Sequence, residues 1–176
     1  KYAIDKLLER GLLTTKPDGS IVKAISNGLG GFIKIPYYGE VNCGDATALA
    51  EDRIQSYLEV SSSVIGTADA NNLFALKASG NSMNKADIGG RSVDDGDYIV
   101  ARKKDNYHPN NGDYIISIIG GAANLKKFRK DTKNRQIILE SESTDDLPPI
   151  VISEQDVNNL SAYSIAAKAV AVVKMT

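Results

Sequence analysis

Gly112-Asp113-Tyr114-Ile115-Ile116-Ser117-Ile118-Ile119-Gly120-Gly121-Ala122-Ala123-Asn124-Leu125-Lys126-Lys127-Phe128 is the stretch whose reading decides the fold class. Tyr114 to Ile118 is dense in β-branched and aromatic side chains, which suit a pleated, half-buried surface. Gly120-Gly121 is a turn signal, and Ala123 to Phe128 reads as the returning strand of a hairpin. Side chains alternate across a strand. Lys126 therefore shares a face with Phe128 and lies opposite Leu125 and Lys127.

Working outward, the same pattern recurs from Phe32 onward. Strands are expected at 32–36, 54–60, 73–78, 97–102, 113–119, 122–128, 136–141, 149–152 and 162–174, with Gly, Asn, Asp or Pro between them. Many short strands with turn signals predict a mainly β domain, compact, multi-stranded and partly barrel-like. The front of the chain differs. Ile4, Leu7 and Leu8 fall at helical spacing, so 2–10 reads as a helix that Gly11 stops. Leu12 to Thr15, the turn Lys16-Pro17-Asp18-Gly19, and Ser20 to Ile25 then read as a β-hairpin. Asn27-Gly28-Leu29-Gly30-Gly31 has the glycines of a flexible connector. It is not a phosphate loop, since no Gly-Lys-Ser/Thr follows. The organisation expected is a helix-hairpin unit over 1–26, a hinge over 27–34 and the β domain over 35–176.

Composition narrows the class. The chain has 176 residues, 42% of them apolar, which is enough for a packed core. Lys+Arg is 21 and Asp+Glu is 22, for a net charge of −1, so the surface as a whole is not that of a DNA-holding protein. Cys43 is the one cysteine and His108 the one histidine. A disulfide framework is impossible, a reducing compartment is implied, and neither a zinc site nor any other cofactor is expected. No apolar run approaches the ~20 residues that span a bilayer. Lys1 to Arg10 reads as an amphipathic helix and not as a signal peptide. The expectation is a cytoplasmic protein.

Chemistry concentrates in four short pieces. Ala78-Ser79-Gly80-Asn81-Ser82-Met83 follows an apolar strand and precedes a stretch able to start a helix. A serine there is held rigidly, and the amides just after it can face a developing oxyanion. Without context the same serine would be an N-cap. Val93-Asp94-Asp95-Gly96-Asp97-Tyr98-Ile99-Val100 is a turn feeding a strand. Gly112-Asp113 opens another strand, and Leu125-Lys126-Lys127-Phe128 closes the hairpin. A lysine pair in a strand is usually a solvated edge. Lys85, three residues after Ser82, and His108, in a loop by composition, are the other groups that could take a proton from a serine.

Gly-x-Ser-Met, then Asp-Gly-Asp plus a strand, then Gly-Asp plus a strand, then apolar-Lys-basic-apolar, in this order, resembles the LexA/lambda-repressor self-cleaving family. Leu139 to Ile150, with Glu140-Ser141 and Pro148-Pro149-Ile150, resembles the closing segment of that domain. The likeness runs from about Ile35 to Val173. It implies a serine endopeptidase with a serine–lysine dyad: Ser82 as nucleophile, Lys126 as general base and the Met83 backbone N–H as oxyanion donor. A serine hydroxyl is a poor nucleophile until a neighbour takes its proton. A neutral lysine can do so, and burial lowers lysine pKa.

The resemblance also implies that the substrate is internal. Pro36-Tyr37-Tyr38-Gly39-Glu40-Val41-Asn42-Cys43-Gly44 is similar to the family's cleavage segment, cut between a small residue and glycine, and Cys43-Gly44 fits that pattern. The bland alternative is a small apolar residue beside a turn. Residues 1–26 resemble the last helix and wing of a winged helix-turn-helix, so the chain is expected to begin inside a DNA-binding module. Implied partners are a second copy of the chain, operator DNA for the intact protein and a RecA-type filament as co-protease; no membrane partner is expected. Dimerisation is expected through 162–174, read as a long apolar edge strand. The implied role is a transcriptional repressor of a DNA-damage response that inactivates itself. The rivals are an UmuD-type polymerase accessory protein, disfavoured by helix 2–10, a type I signal peptidase, which needs an anchor, and a non-cleaving dimerisation or sensor domain.

Overall fold

A computed structural model describes residues 13–15, 21–23, 31–40, 54–66, 70–157 and 163–175. In chain order the strands are β1 (Leu13–Thr15), β2 (Ile21–Lys23), β3 (Phe32–Glu40), β4 (Ser56–Ser61), β5 (Leu73–Lys77), β6 (Tyr98–Arg102), β7 (Tyr114–Ile119), β8 (Ala122–Asp131), β9 (Gln136–Glu140), β10 (Ile150–Ser153) and β11 (Tyr163–Val173). Two single-turn helices, α1 (Ser62–Ile65) and α2 (Glu154–Val157), follow β4 and β10. β1 and β2 pair antiparallel, Thr14 opposite Val22, as the hairpin reading expects. The predicted helix 2–10 lies outside the described residues.

The other nine strands form one sheet in the order β10-β9-β8-β7-β11-β6-β5-β3-β4. The expected mainly β architecture is what the chain adopts. Phe32, Ile33 and Lys34, assigned to the hinge by composition, are paired with β4 in this sheet. The deciding hairpin is β7–β8, with Tyr114 opposite Lys127 and Ile115 opposite Lys126. Gly120 and Gly121 have φ of 54° and 86°. A two-residue turn that matches strand twist needs positive φ at both centres, which glycine alone adopts without strain.

Alternation sorts the core. Phe74 and Leu76 of β5, Ile99 of β6, Ile116 of β7 and Leu125 of β8 pack in one cluster, roofed by Met83, Ala86, Ile88 and Val93. Leu73 and Ala75 face the other way, with Ile35, Val60 and the α1 residues Val64 and Ile65. Ile115, Phe128, Leu139, Ile152 and Tyr163 make a third cluster. Each large aliphatic side chain buried this way contributes about 1.5–3 kcal/mol.

One expectation is corrected. β11 is not an edge: it is hydrogen-bonded to β7 on one side and β6 on the other, with register shifts between Ile165 and Ala167 and between Ala169 and Ala171. Its apolar character reflects this interior place, since Ala167, Ala169 and Ala171 are buried between neighbours. The sheet ends at β10 and β4, so an unpaired last strand cannot be the reason for dimerisation.

The packing sets a stability contrast. Ile116→Ala, at a fully buried site in β7, should lower unfolding free energy by about 2–5 kcal/mol. Val151→Thr, half exposed on the edge strand β10, should change it by less than about 0.5 kcal/mol. Urea denaturation measures both; equal losses would contradict the core assignment.

Candidate active site

Lys126 is placed by the β7–β8 register. It lies mid-strand opposite Ile115 and is only 8% exposed. Among the described residues no carboxylate pairs with it. Its Nζ donates a hydrogen bond to Ser82 Oγ at 2.9 Å. Burial in apolar surroundings penalises the charged amine and holds its pKa below the ordinary lysine value.

The lysine next to it has the opposite environment. Lys127 Nζ donates to Glu142 Oε1 at 2.5 Å and stands 5.8 Å from the centre of the Tyr114 ring. The hydrogen bond to Glu142 raises its pKa. Strand alternation thus separates two adjacent lysines into a buried one against the serine and an ion-paired one.

Ser82 reaches Lys126 from a segment anchored at both ends. Beyond β5, Ala78 N–H donates to Asp97 O at 2.7 Å and Gly96 N–H to Ala78 O at 2.9 Å. Gly80, at φ 85°, donates its N–H to Asp95 Oδ1 at 2.7 Å. Asp97, 3% exposed, accepts from Asp94 N–H at 2.8 Å, Lys174 Nζ at 2.8 Å and Met175 N–H at 3.1 Å. Burial pushes the Asp97 pKa up, but the Lys174 ammonium and the two backbone donors outweigh it, and the net shift is downward. The Asp-Gly-Asp motif is therefore a buckle under the serine segment and takes no direct part in the Ser82–Lys126 contact.

The segment after Ser82 is a turn and not the helix that the sequence suggests. Ala86 N–H and Val93 N–H both take the Met83 carbonyl, at 3.0 and 3.3 Å. Gly89 and Gly90, at φ 63° and 83°, then reverse the chain, and Ile88 and Arg91 exchange backbone hydrogen bonds across the reversal. The return to Val93 comes before a second helical turn can form. The Met83 side chain, 3% exposed, anchors this turn in the core. Beside Ser82 lies a small recess lined by Ala78, Met83, Val93, Ile99 and Leu125.

Of the residues singled out in the sequence, Ser82, Met83 and Lys126 are brought together. Lys85 is exposed, and its backbone N–H is held by Glu142 O at 2.8 Å. His108 is exposed on the 103–113 loop, in a cleft with Asp113 and Lys168. Asp113 accepts from Lys168 at 2.6 Å and Tyr107 at 2.6 Å, which makes it a tether for that loop. Cys43 and Gly44 lie outside the described residues. Sequence reasoning missed the Lys174–Asp97 buckle and the polar run 142–145 over the serine turn. Its one available signal was an unusually polar stretch between two strands. Among the described residues no group of three His, Cys, Asp or Glu side chains could hold a metal ion, and no helix is long and apolar enough to cross a membrane.

Residues 36–163 match the family model described as Peptidase S24-like. The chain belongs to that family. Its relatives include a LexA repressor of Clostridium acetobutylicum, 34% identical over 125 residues that cover 71% of this chain and 55% of that protein. A LexA repressor of Clostridium perfringens is 30% identical over 151 residues, 84% of this chain and 68% of that protein. One from Myxococcus xanthus is 28% identical over 119 residues, 68% of this chain and 50% of that protein. This S24-like chain thus spans from 50% to 68% of the length of these relatives, and Ser82 and Lys126 fall within the residues 36–163 that the family model matches.

Burial of Lys126 has a measurable consequence. Its folded pKa lies below the unfolded value, so between the two the unfolded chain binds more protons and stability rises with pH. Below the folded pKa the full penalty of a buried ammonium is present. Lys126→Met should therefore be more stable than the unsubstituted chain at neutral pH. That advantage should shrink as pH climbs through the depressed pKa toward the ordinary value of 10.5. Thermal or urea unfolding across this range tests it; an advantage that stays constant would mean that Lys126 does not titrate there.

Proposed function

We propose that this chain is the self-cleaving part of a LexA-like transcriptional repressor, a serine endopeptidase whose substrate is its own Cys43–Gly44 bond. The supporting observation is the buried Lys126 amine 2.9 Å from the Ser82 hydroxyl. Family membership and the repressor names of the relatives point the same way.

The chemistry follows from that pair. As an ammonium, Lys126 donates to Ser82 and leaves the hydroxyl inert. Once neutral, its lone pair can accept the Ser82 proton as Oγ attacks the Cys43 carbonyl carbon. The tetrahedral oxyanion would be met by the Met83 backbone N–H. Collapse breaks the Cys43–Gly44 C–N bond, and the Lys126 ammonium returns the proton to the Gly44 amine. A water, deprotonated by Lys126, then hydrolyses the Ser82 ester and leaves a Cys43 carboxylate. The recess beside Ser82 is small, which suits a small side chain before the bond; glycine after it lets the backbone approach. Because substrate and dyad share one chain, effective concentration supplies much of the rate.

Self-cleavage provides the regulatory logic. Cutting after Cys43 separates residues 1–43 from the β domain, and two DNA readers joined through a dimer of that domain lose their shared avidity. In this proposal the intact cytoplasmic protein holds operator DNA as a homodimer, and a RecA-type filament formed on DNA damage favours the cleavable form.

The purified chain should cut itself at alkaline pH with no other protein present, faster as the Lys126 amine loses its proton. Mass spectrometry should find fragments ending at Cys43 and beginning at Gly44. Ser82→Ala and Lys126→Ala should each abolish the reaction. Lys127→Ala should slow it at most, and Gly44→Glu should block it with the dyad intact. Cleavage by Lys126→Ala, or at another bond, would overturn the proposal.

A further inference from the structure

The nucleophile turn is gripped from above by a segment that the dyad chemistry does not use. Asn84 Nδ2 donates to Thr144 Oγ1 at 2.9 Å, and Thr144 N–H donates back to Asn84 Oδ1 at 2.8 Å. Ser143 Oγ donates to Asn81 O at 2.9 Å, and Asn81 Nδ2 also donates to Asp145 Oδ2. Lys85 N–H donates to Glu142 O at 2.8 Å. Four successive residues, Glu142 to Asp145, thus hold Asn81, Asn84 and Lys85, which bracket Ser82 on both sides.

The same segment is tied to the strand that carries the base. Glu142 Oε1 accepts from Lys127 at 2.5 Å, and Oε2 accepts from Tyr114 OH at 2.5 Å. Tyr114 is the cross-strand partner of Lys127, and its hydroxyl accepts from Asp87 N–H at 3.0 Å. One strap therefore spans from the residue beside Lys126 to the residues beside Ser82. A turn held only at its ends would leave the serine free to move. A strap bonded to the residues that flank both partners fixes their separation, the quantity that proton transfer depends on most steeply.

We propose that residues 142–145 are a positioning strap that sets Ser82 Oγ against Lys126 Nζ, with the reciprocal Asn84–Thr144 pair as its joint and Glu142 as its anchor to β8. This rests on the reading of Ser82 and Lys126 as the dyad. Asn84 and Thr144 touch neither reacting atom and act through the turn. The design also accounts for a run of six polar residues, Ser141 to Asp146, between two strands.

The test uses the full chain and two readouts: first-order self-cleavage at alkaline pH, and labelling of Ser82 by diisopropyl fluorophosphate, which needs no cleavage segment. Asn84→Ala and Thr144→Val should slow both by roughly ten- to a hundredfold, as expected when a catalytic group is misplaced by a fraction of an ångström to an ångström. The pH midpoint of the rate should not move, because Lys126 stays buried. Thr144→Ser and Asn84→Asp should recover most of the rate, since each keeps two partners at the joint, the threonine hydroxyl being able to donate as well as accept. Wild-type rates of cleavage and labelling in Asn84→Ala and Thr144→Val would overturn the strap. So would a shifted pH midpoint, which would mean that the segment acts on Lys126 and not on Ser82. If the unsubstituted chain neither cuts nor labels while folded, the dyad reading itself fails and the strap with it.

Discussion

An amine can serve as a base only after it has lost its proton, and in water a lysine keeps it through most of the physiological range. In the proposed reaction that constraint falls on Lys126. Lys126 is set mid-strand, away from carboxylates and 8% exposed, with a serine hydroxyl as its polar contact. The cost is a buried group that destabilises the fold whenever it is charged. The rest of the domain holds this one group in place.

The sheet provides that hold. β8 pairs with β7 over Ala122–Lys127 and with β9 from Lys127 to Asp131, so the backbone on both sides of Lys126 is held in the sheet. Alternation sends the neighbouring Lys127 to Glu142, where its charge is neutralised instead of adding to the local potential. The serine arrives from a loop fastened by Asp95 and Asp97 below and by residues 142–145 above. Lys174, near the end of the described chain, closes the lower buckle through Asp94 and Asp97. Residues far apart in sequence thus converge on one distance.

Much of this was legible in the sequence because it is local. The two-glycine turn, the density of Ile and Tyr in β7 and the alternation that divides Lys126 from Lys127 are short-range signals, and they place the strands and set the two lysines on opposite faces. What was not legible is non-local. No periodicity says that β11 inserts between β7 and β6, so its apolar run reads in the sequence as an exposed edge. β8 continues past Phe128 to Asp131 although Arg129 and Lys130 look like loop residues, because pairing with β9 and the Arg129–Glu140 contact at 2.7 Å carry the strand on. The turn after Ser82 looked like a helix start, since the reversal at Gly89-Gly90 depends on Val93 folding back onto Met83. The strap and the Lys174 buckle are tertiary hydrogen-bond networks among residues that are ordinary surface types in sequence.

The most direct test of the central claim is an NMR titration of the lysine amines in the Ser82→Ala chain, in which self-cleavage cannot intervene. Lys126 should titrate below the ordinary lysine value of 10.5 and Lys127 above it, two adjacent residues shifted in opposite directions. If Lys126 titrates at or above the ordinary value, it stays charged where the chemistry needs it neutral, and its role as the base for Ser82 is contradicted.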